Sequence, residues 1–206
     1  MNNEWIRIDH ASKIIRGKHI LSDIDVSFEK GKIYGIVGDN GSGKTMLLRA
    51  ISGVMRLSSG TVTYQKKNPT MGIIIENPGF LLDYSGLDNL VFLAEIRNVI
   101  SKNQIKRVMV SVGLDPDDKR KVKAYSLGMK QKLAIAQAIM EEPDMLILDE
   151  PFRGLDTKSL ENIRKLLMDY NERGGTVFLT SHNVEDIAVL CSCVYKISDG
   201  TLIQHS

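Results

Sequence analysis

The pattern of apolar and polar positions opens as β-structure. A short apolar run near Trp5–Ile8 is followed by Ile24, Val26 and Phe28 in strict alternation, then by a run from Lys32 to Val37 that ends on glycine. A period of two sends successive side chains to opposite faces of a strand. From Lys44 to Ile51 the apolar residues recur at helical spacing, Ser58-Ser59-Gly60 closes the segment, and Thr61–Tyr64 reads as strand again. Met71–Ile75 is a short buried strand, while Gly86–Arg97 and Asn103–Val112 have helical periodicity and end near Gly113 and the turn at Asp115–Asp118. A helix then runs from Ser126 to Met140, a strand from Met145 to Asp149, a helix from Thr157 to about Glu172, a strand from Thr176 to Thr180 and a further helix from Asn183. The tail folds back about Asp199-Gly200, a two-residue hairpin turn. Strands alternating with helices predict an α/β fold, a parallel sheet with helices on both faces. The pattern is that of a single domain over 1–206, with a helical subdomain inserted at roughly 77–140.

Composition narrows the class without naming a partner. The 206 residues are 43% hydrophobic, enough for a buried core. Lys plus Arg number 27 against 25 Asp plus Glu, so no basic excess is available for a nucleic-acid backbone or an anionic membrane surface. Cys191 and Cys193 are too few and too close for a disulfide framework or a four-ligand metal site, and read as reduced cytosolic thiols. The start, MNNEWIRIDH, lacks a basic run followed by an apolar core, and no stretch of about 18 apolar residues occurs. A membrane role is therefore expected to need another subunit.

Three segments carry chemistry. Gly38–Thr45, GDNGSGKT, matches GxxxxGK[ST] between a strand and a helix. Gly38, Asn40, Gly41, Ser42 and Gly43 offer backbone N–H groups to phosphates at a helix start, Lys44 adds a positive charge, and Thr45 supplies a hydroxyl ligand for Mg²⁺. Met145–Glu150, MLILDE, ends an apolar strand on two carboxylates, where ligands of open α/β sheets gather. Asp149 is placed for the Mg²⁺ shell and Glu150 for the proton of an attacking water, the alternative being a solvated strand-end acid pair, which the phosphate loop upstream disfavours. Tyr125–Lys132, YSLGMKQK, places Ser126 as a helix N-cap with Gly128 behind it; alone it is an ordinary capped helix.

Taken in order, the phosphate loop, YSLGMKQK, MLILDE, Gly154-Leu155-Asp156 and His182 resemble the ABC ATPase domains over nearly the whole chain. The resemblance implies a P-loop NTPase of ABC type with an antiparallel β-subdomain, and it implies ATP and Mg²⁺ as cofactors. It makes Tyr125–Lys132 a variant of the LSGGQ signature, with Ser126 and Gly128 retained and Tyr125, Leu127 and Met129 as departures. In that family the signature of one subunit contacts ATP held by the other, implying a head-to-tail dimer, identical subunits being the simplest case. It also implies an interface-crossing loop at Gly154–Asp156 and a γ-phosphate contact for His182, which without the other motifs reads equally as a helix cap. Glu76 stands where the family usually has glutamine, adding a carboxylate within reach of Mg²⁺. Ile15 and Arg16 stand where the family offers an aromatic to adenine, leaving the Arg16 guanidinium to stack on the base. The Glu76 variant and the YSLGMKQK form resemble the exporters of bacitracin and lantibiotics. Expected partners are transmembrane permease subunits, docked beside Glu76–Leu90, and the expected location is the cytoplasmic face of the cell membrane. The alternatives are a soluble ABC protein in a cytosolic assembly complex and an unrelated P-loop kinase or GTPase.

Overall fold

The computed structural model describes residues 4–76 and 78–205, so the expected start of the helical insert at 77 lies outside the described residues. Strands β1 (Glu4–Ile15) and β2 (Lys18–Glu29) form an antiparallel hairpin, and β4 (Ser59–Tyr64) pairs along the other edge of β1. β1 is longer than its first apolar run suggests. Register shifts between Ile8 and Lys13 interrupt the alternation, and the strand continues to a two-residue turn at Arg16-Gly17, where both φ angles are positive (50° and 78°).

The larger sheet comprises β3 (Ile33–Val37), β5 (Met71–Ile74), β6 (Met145–Leu148), β7 (Thr176–Thr180), β8 (Cys193–Ser198) and β9 (Thr201–His205), in the spatial order β5-β6-β7-β3-β8-β9. Every neighbouring pair is parallel except β8 and β9, which form the hairpin about Asp199-Gly200. The helices are α1 (Lys44–Ile51), α2 (Gly86–Arg97), α3 (Lys102–Ser111), α4 (Leu127–Ile139), α5 (Thr157–Glu172) and α6 (Val184–Leu190). Side chains of Ser85, Ser101, Ser126 and Asp156 accept a backbone N–H at the starts of α2, α3, α4 and α5, which satisfies donors a helix leaves free.

Period-two alternation splits the sheet between two cores. Ile33, Leu146, Leu148, Val177 and Leu179 join Leu90 of α2, Ile105 of α3, Leu133 of α4 and Ile163 of α5. Tyr34, Ile36, Met145, Ile147 and Phe178 point the other way, to Leu47 and Leu48 of α1 and to Ile6, Ile8 and Phe28 of the hairpin. Helices thus cover both faces unequally: α1 shares its face with the three-stranded sheet, whose apolar side would otherwise face water. Tyr34 stacks on Phe178 at 5.0 Å and Phe28 meets both edge-on at 4.9 Å. Such pairs add ~1 kcal/mol each beyond their buried area. They stiffen β3 just before it delivers the chain to the phosphate loop.

Candidate functional site

β3 ends at Val37 and the chain turns at Gly38. A Cβ at Gly38 would lie 2.3 Å from the Ile197 carbonyl oxygen, so any side chain there would push β8 away from the loop. Asn40 and Gly41 form the exposed tip, Ser42 and Gly43 lead back inward, and α1 begins at Lys44 with Gly43 as its left-handed N-cap. Lys44 is buried and its Nζ donates to the Gly38 and Asp39 carbonyls at 2.7 and 3.0 Å. The ammonium thus sits within the ring of the loop. The Ser42 hydroxyl is buried without a protein partner among the described residues.

Sheet order brings the acids to this loop. β7 lies between β6 and β3, with Leu179 opposite Leu148 and Thr180 opposite Ile36, so the residues just after β6 meet the end of β7. Asp149 accepts the Thr45 hydroxyl on Oδ2 at 2.7 Å and the Thr180 hydroxyl on Oδ1 at 2.6 Å. No cationic side chain pairs with Asp149 among the described residues, so its charge is held by neutral donors. The Glu150 amide donates to Thr180 Oγ1 at 2.9 Å, and the His182 amide to Glu150 Oε2 at 3.4 Å. Glu150 Oε1 is buried and lies 3.3 Å from His182 Nε2, in ion-pair range but outside hydrogen-bond geometry. Glu150 has φ 51°, left-handed for a residue with a Cβ, a strain of order 1 kcal/mol. That strain turns its carboxylate out of the strand line beside His182, which is itself exposed.

The signature segment stands apart from this cluster. Ser126 accepts the Met129 amide at 3.2 Å and is exposed, as an N-cap should be. Within this chain Gly128 lies against the neighbouring loop: a Cβ there would lie 2.7 Å from the Gly154 carbonyl oxygen. Gln131 Nε2 donates to the Pro151 carbonyl at 2.8 Å. The start of α4 and the loop Pro151–Asp156 are therefore packed as one unit, and among the described residues no hydrogen bond joins Ser126 to the phosphate loop.

Glu76 has φ 63° and its carboxylate pairs with Arg49 of α1 at 2.6 Å, one helical turn beyond Thr45. The extra negative charge expected from glutamate at this place is thus offset by a cation of the same chain. Arg16 occupies the exposed hairpin turn, and Ile20, further along β2, presents its carbonyl 2.9 Å from where a Cβ of Gly43 would stand. A surface concavity of about 940 Å³, lined in part by Pro143, Asp144 and Tyr170, lies at the other end of β6 and contains none of these residues. Chemistry, not volume, marks the site.

The sequence model of the ABC transporter family matches residues 21–153, a span that takes in the phosphate loop, the signature and both acids. The chain belongs to this family. Among similar proteins, the uncharacterised ABC transporter ATP-binding protein YybJ of Bacillus subtilis (strain 168) is 40% identical over 205 residues, covering 96% of this chain and 94% of YybJ. The bacitracin transport ATP-binding protein BcrA of Enterococcus faecalis is 37% identical over 210 residues, with 97% of this chain and 68% of BcrA covered. The dimeric structure of the bacterial ABC transporter cassette MJ0796 superposes with a TM-score of 0.88 at 21% identity, covering 98% of each chain, which establishes the shared fold. This ABC cassette is accordingly an ATP-binding, ATP-hydrolysing subunit.

Two members of the cassette's cleft escaped the sequence reading. Thr180, wholly buried, bridges Asp149 and the Glu150 amide; a hydroxyl at the C-terminal end of a strand with an apolar middle was the available signal. Arg49 could not be linked to Glu76 because 27 residues separate them.

Proposed function

We propose that this cassette drives a membrane exporter, with Gly38–Thr45 cradling the phosphates of ATP and Glu150 taking the proton of the water that attacks the γ-phosphate. The observation that carries the reading is the convergence of Thr45, Asp149, Glu150, Thr180 and His182 beside the phosphate loop. Lys44 places a charge where phosphate oxygens would lie, and Gly38, Asn40, Gly41, Ser42 and Gly43 contribute N–H donors and the unpartnered Ser42 hydroxyl. Thr45 and Asp149, a hydroxyl and a carboxylate without a cation of its own, suit Mg²⁺, with Glu76 available if it leaves Arg49. When bound, Mg²⁺ would supply neutralisation of the phosphate charge. Glu150 then needs only position and basicity, and His182 fixes its orientation and meets the γ-phosphate. Arg16 is the candidate for stacking on adenine.

Ser126 and Gly128 serve the ATP of a second, identical subunit in a head-to-tail dimer. The exposed N-cap at the start of α4, packed against Pro151–Asp156 and separate from its own phosphate loop, supports that arrangement. Among the described residues no helix is long and apolar enough to cross a membrane. The likeness to transporter ATP-binding proteins supports a place on the cytoplasmic face of the cell membrane beneath permease subunits. Their docking surface follows Glu76. Phe80 packs into the core, but Leu81 and Leu82 are half exposed, and Tyr84 and Phe92 meet edge-on at 5.2 Å beside them. An exposed apolar patch of this kind suits a short helix of a membrane subunit. The likeness to bacitracin and lantibiotic transport proteins supports an antimicrobial peptide or drug as cargo.

Affinity purification of the tagged cassette from detergent-solubilised native membranes tests this reading. A polytopic membrane protein should co-purify and be lost on Leu81→Asp with Leu82→Asp. Recovery of a cytosolic scaffold instead would contradict it.

A further inference from the structure

A buried ion pair lies behind the cleft and takes no part in the chemistry above. Arg164, in the middle of α5, donates from Nε and Nη2 to Asp186 Oδ1 at 3.0 and 2.6 Å, and from Nη1 to Glu185 Oε1 at 3.1 Å. Asp186 is 1% exposed and Arg164 9%. The other oxygen of Asp186 accepts the Ser181 hydroxyl at 2.8 Å, and that hydroxyl in turn accepts the Asn183 amide at 3.1 Å. The bonds therefore close on the backbone either side of His182.

We propose that Arg164, Asp186 and Ser181 form a positioning network that holds His182 against Glu150. The proposal rests on the reading in which Glu150 and His182 act on the γ-phosphate. Its argument is geometric. His182 lies in a short connection between β7 and the seven-residue α6, its ring is exposed, and among the described residues Glu150 is the only side chain it pairs with. Such a residue has little packing of its own to choose among rotamers and backbone angles. Asp186 anchors the first turn of α6 and Ser181 anchors the end of β7, so the connection is held at both ends by one carboxylate.

A stability role alone explains the pair poorly. Two charges withdrawn from water are seldom more stabilising than apolar side chains of the same volume, so a buried pair is better understood through what its geometry specifies. Here it specifies the relation between α5 and the His182 connection. Asp156 caps the start of the same α5, so the loop at Gly154–Asp156 and His182 are referred to one helix.

The test is a mutant cycle on the purified full chain, read as phosphate release across Mg-ATP concentrations with melting temperature as a folding control. Ser181→Ala removes only the hydroxyl, and kcat should fall roughly tenfold with KM within about twofold, since displacement of a reacting group by a fraction of an ångström has effects of that size. Ser181→Thr should restore most of the rate, and Arg164→Lys, which keeps charge but not the forked geometry, should fall between. Added to His182→Ala, Ser181→Ala should cause no further loss, because the network acts through that imidazole. Losses that multiply in the double variant, or Ser181→Ala at the parental rate, would overturn the proposal alone. Should Ser181→Ala fail to fold, the same comparison is made with Arg164→Lys. A parental rate in His182→Ala would instead remove His182 from the site and the proposal with it.

Discussion

One strand carries an aspartate at each end, and the two are treated differently. Asp144, just before β6, accepts both contacts of Lys66 Nζ at 2.7 Å, together with the Thr70 amide and hydroxyl at 2.8 Å each. Partial burial of the carboxyl opposes ionisation, but Lys66 and Thr70 outweigh it and hold Asp144 below the usual carboxylate range. Asp149, just after β6, has two threonine hydroxyls and no cation among the described residues. Four buried residues separate these environments. The first acid is neutralised within the chain and ties the start of β6 to the start of β5. The second is oriented by neutral donors and keeps its charge for something that arrives. The contrast distinguishes a structural carboxylate from one available to a metal–nucleotide complex.

The comparison is broken most severely at Asp149. Asp149→Asn keeps shape and an acceptor but removes the charge, so phosphate release should fall by about 10²-fold or more while the melting temperature changes little. Parental turnover would show that the two acids are equivalent. Asp144→Asn should do the reverse, lowering unfolding free energy by about 1–2 kcal/mol with hydrolysis unchanged, as measured by urea denaturation and the same rate assay. Its pH dependence has a definite sign. Because the folded pKa is depressed below an ordinary value near 3.8, the stabilisation is present above that value and lost as pH falls through the folded one, so parent and variant should converge in acid. Lys66→Met is the smallest change. Lys66 is half exposed, so water and salt screen the pair, and a loss near 0.5 kcal/mol that shrinks in high salt is expected.

Much of this was legible in the residues themselves. The bounds of α1, α5 and β7 follow from apolar periodicity set between caps and glycines, and the β8–β9 turn from Asp199-Gly200. Lys44, Thr45, Asp149 and Glu150 could be named because a phosphate loop and a strand-end acid pair are local motifs. The second half of β1 was obscure because its register shifts break the alternation. Long-range pairings were obscure for a different reason. Arg49, Arg164 and Asp186 are charged positions on helices, indistinguishable in sequence from a solvated face until packing brings Arg49 to Glu76 and Arg164 to Asp186. Thr180 looks like any β-former until β6 lies beside it.

The central claim is that Glu150 acts as the base while the rest of the cleft binds, so binding and chemistry should separate at this one residue. Glu150→Gln keeps size and hydrogen bonding and removes the basic site. In one preparation, phosphate release should fall about 10²-fold or more while ATP still binds, and light scattering should report a dimer in Mg-ATP and a monomer without it. A variant that hydrolyses ATP at the parental rate would contradict the account and turn attention to Glu76.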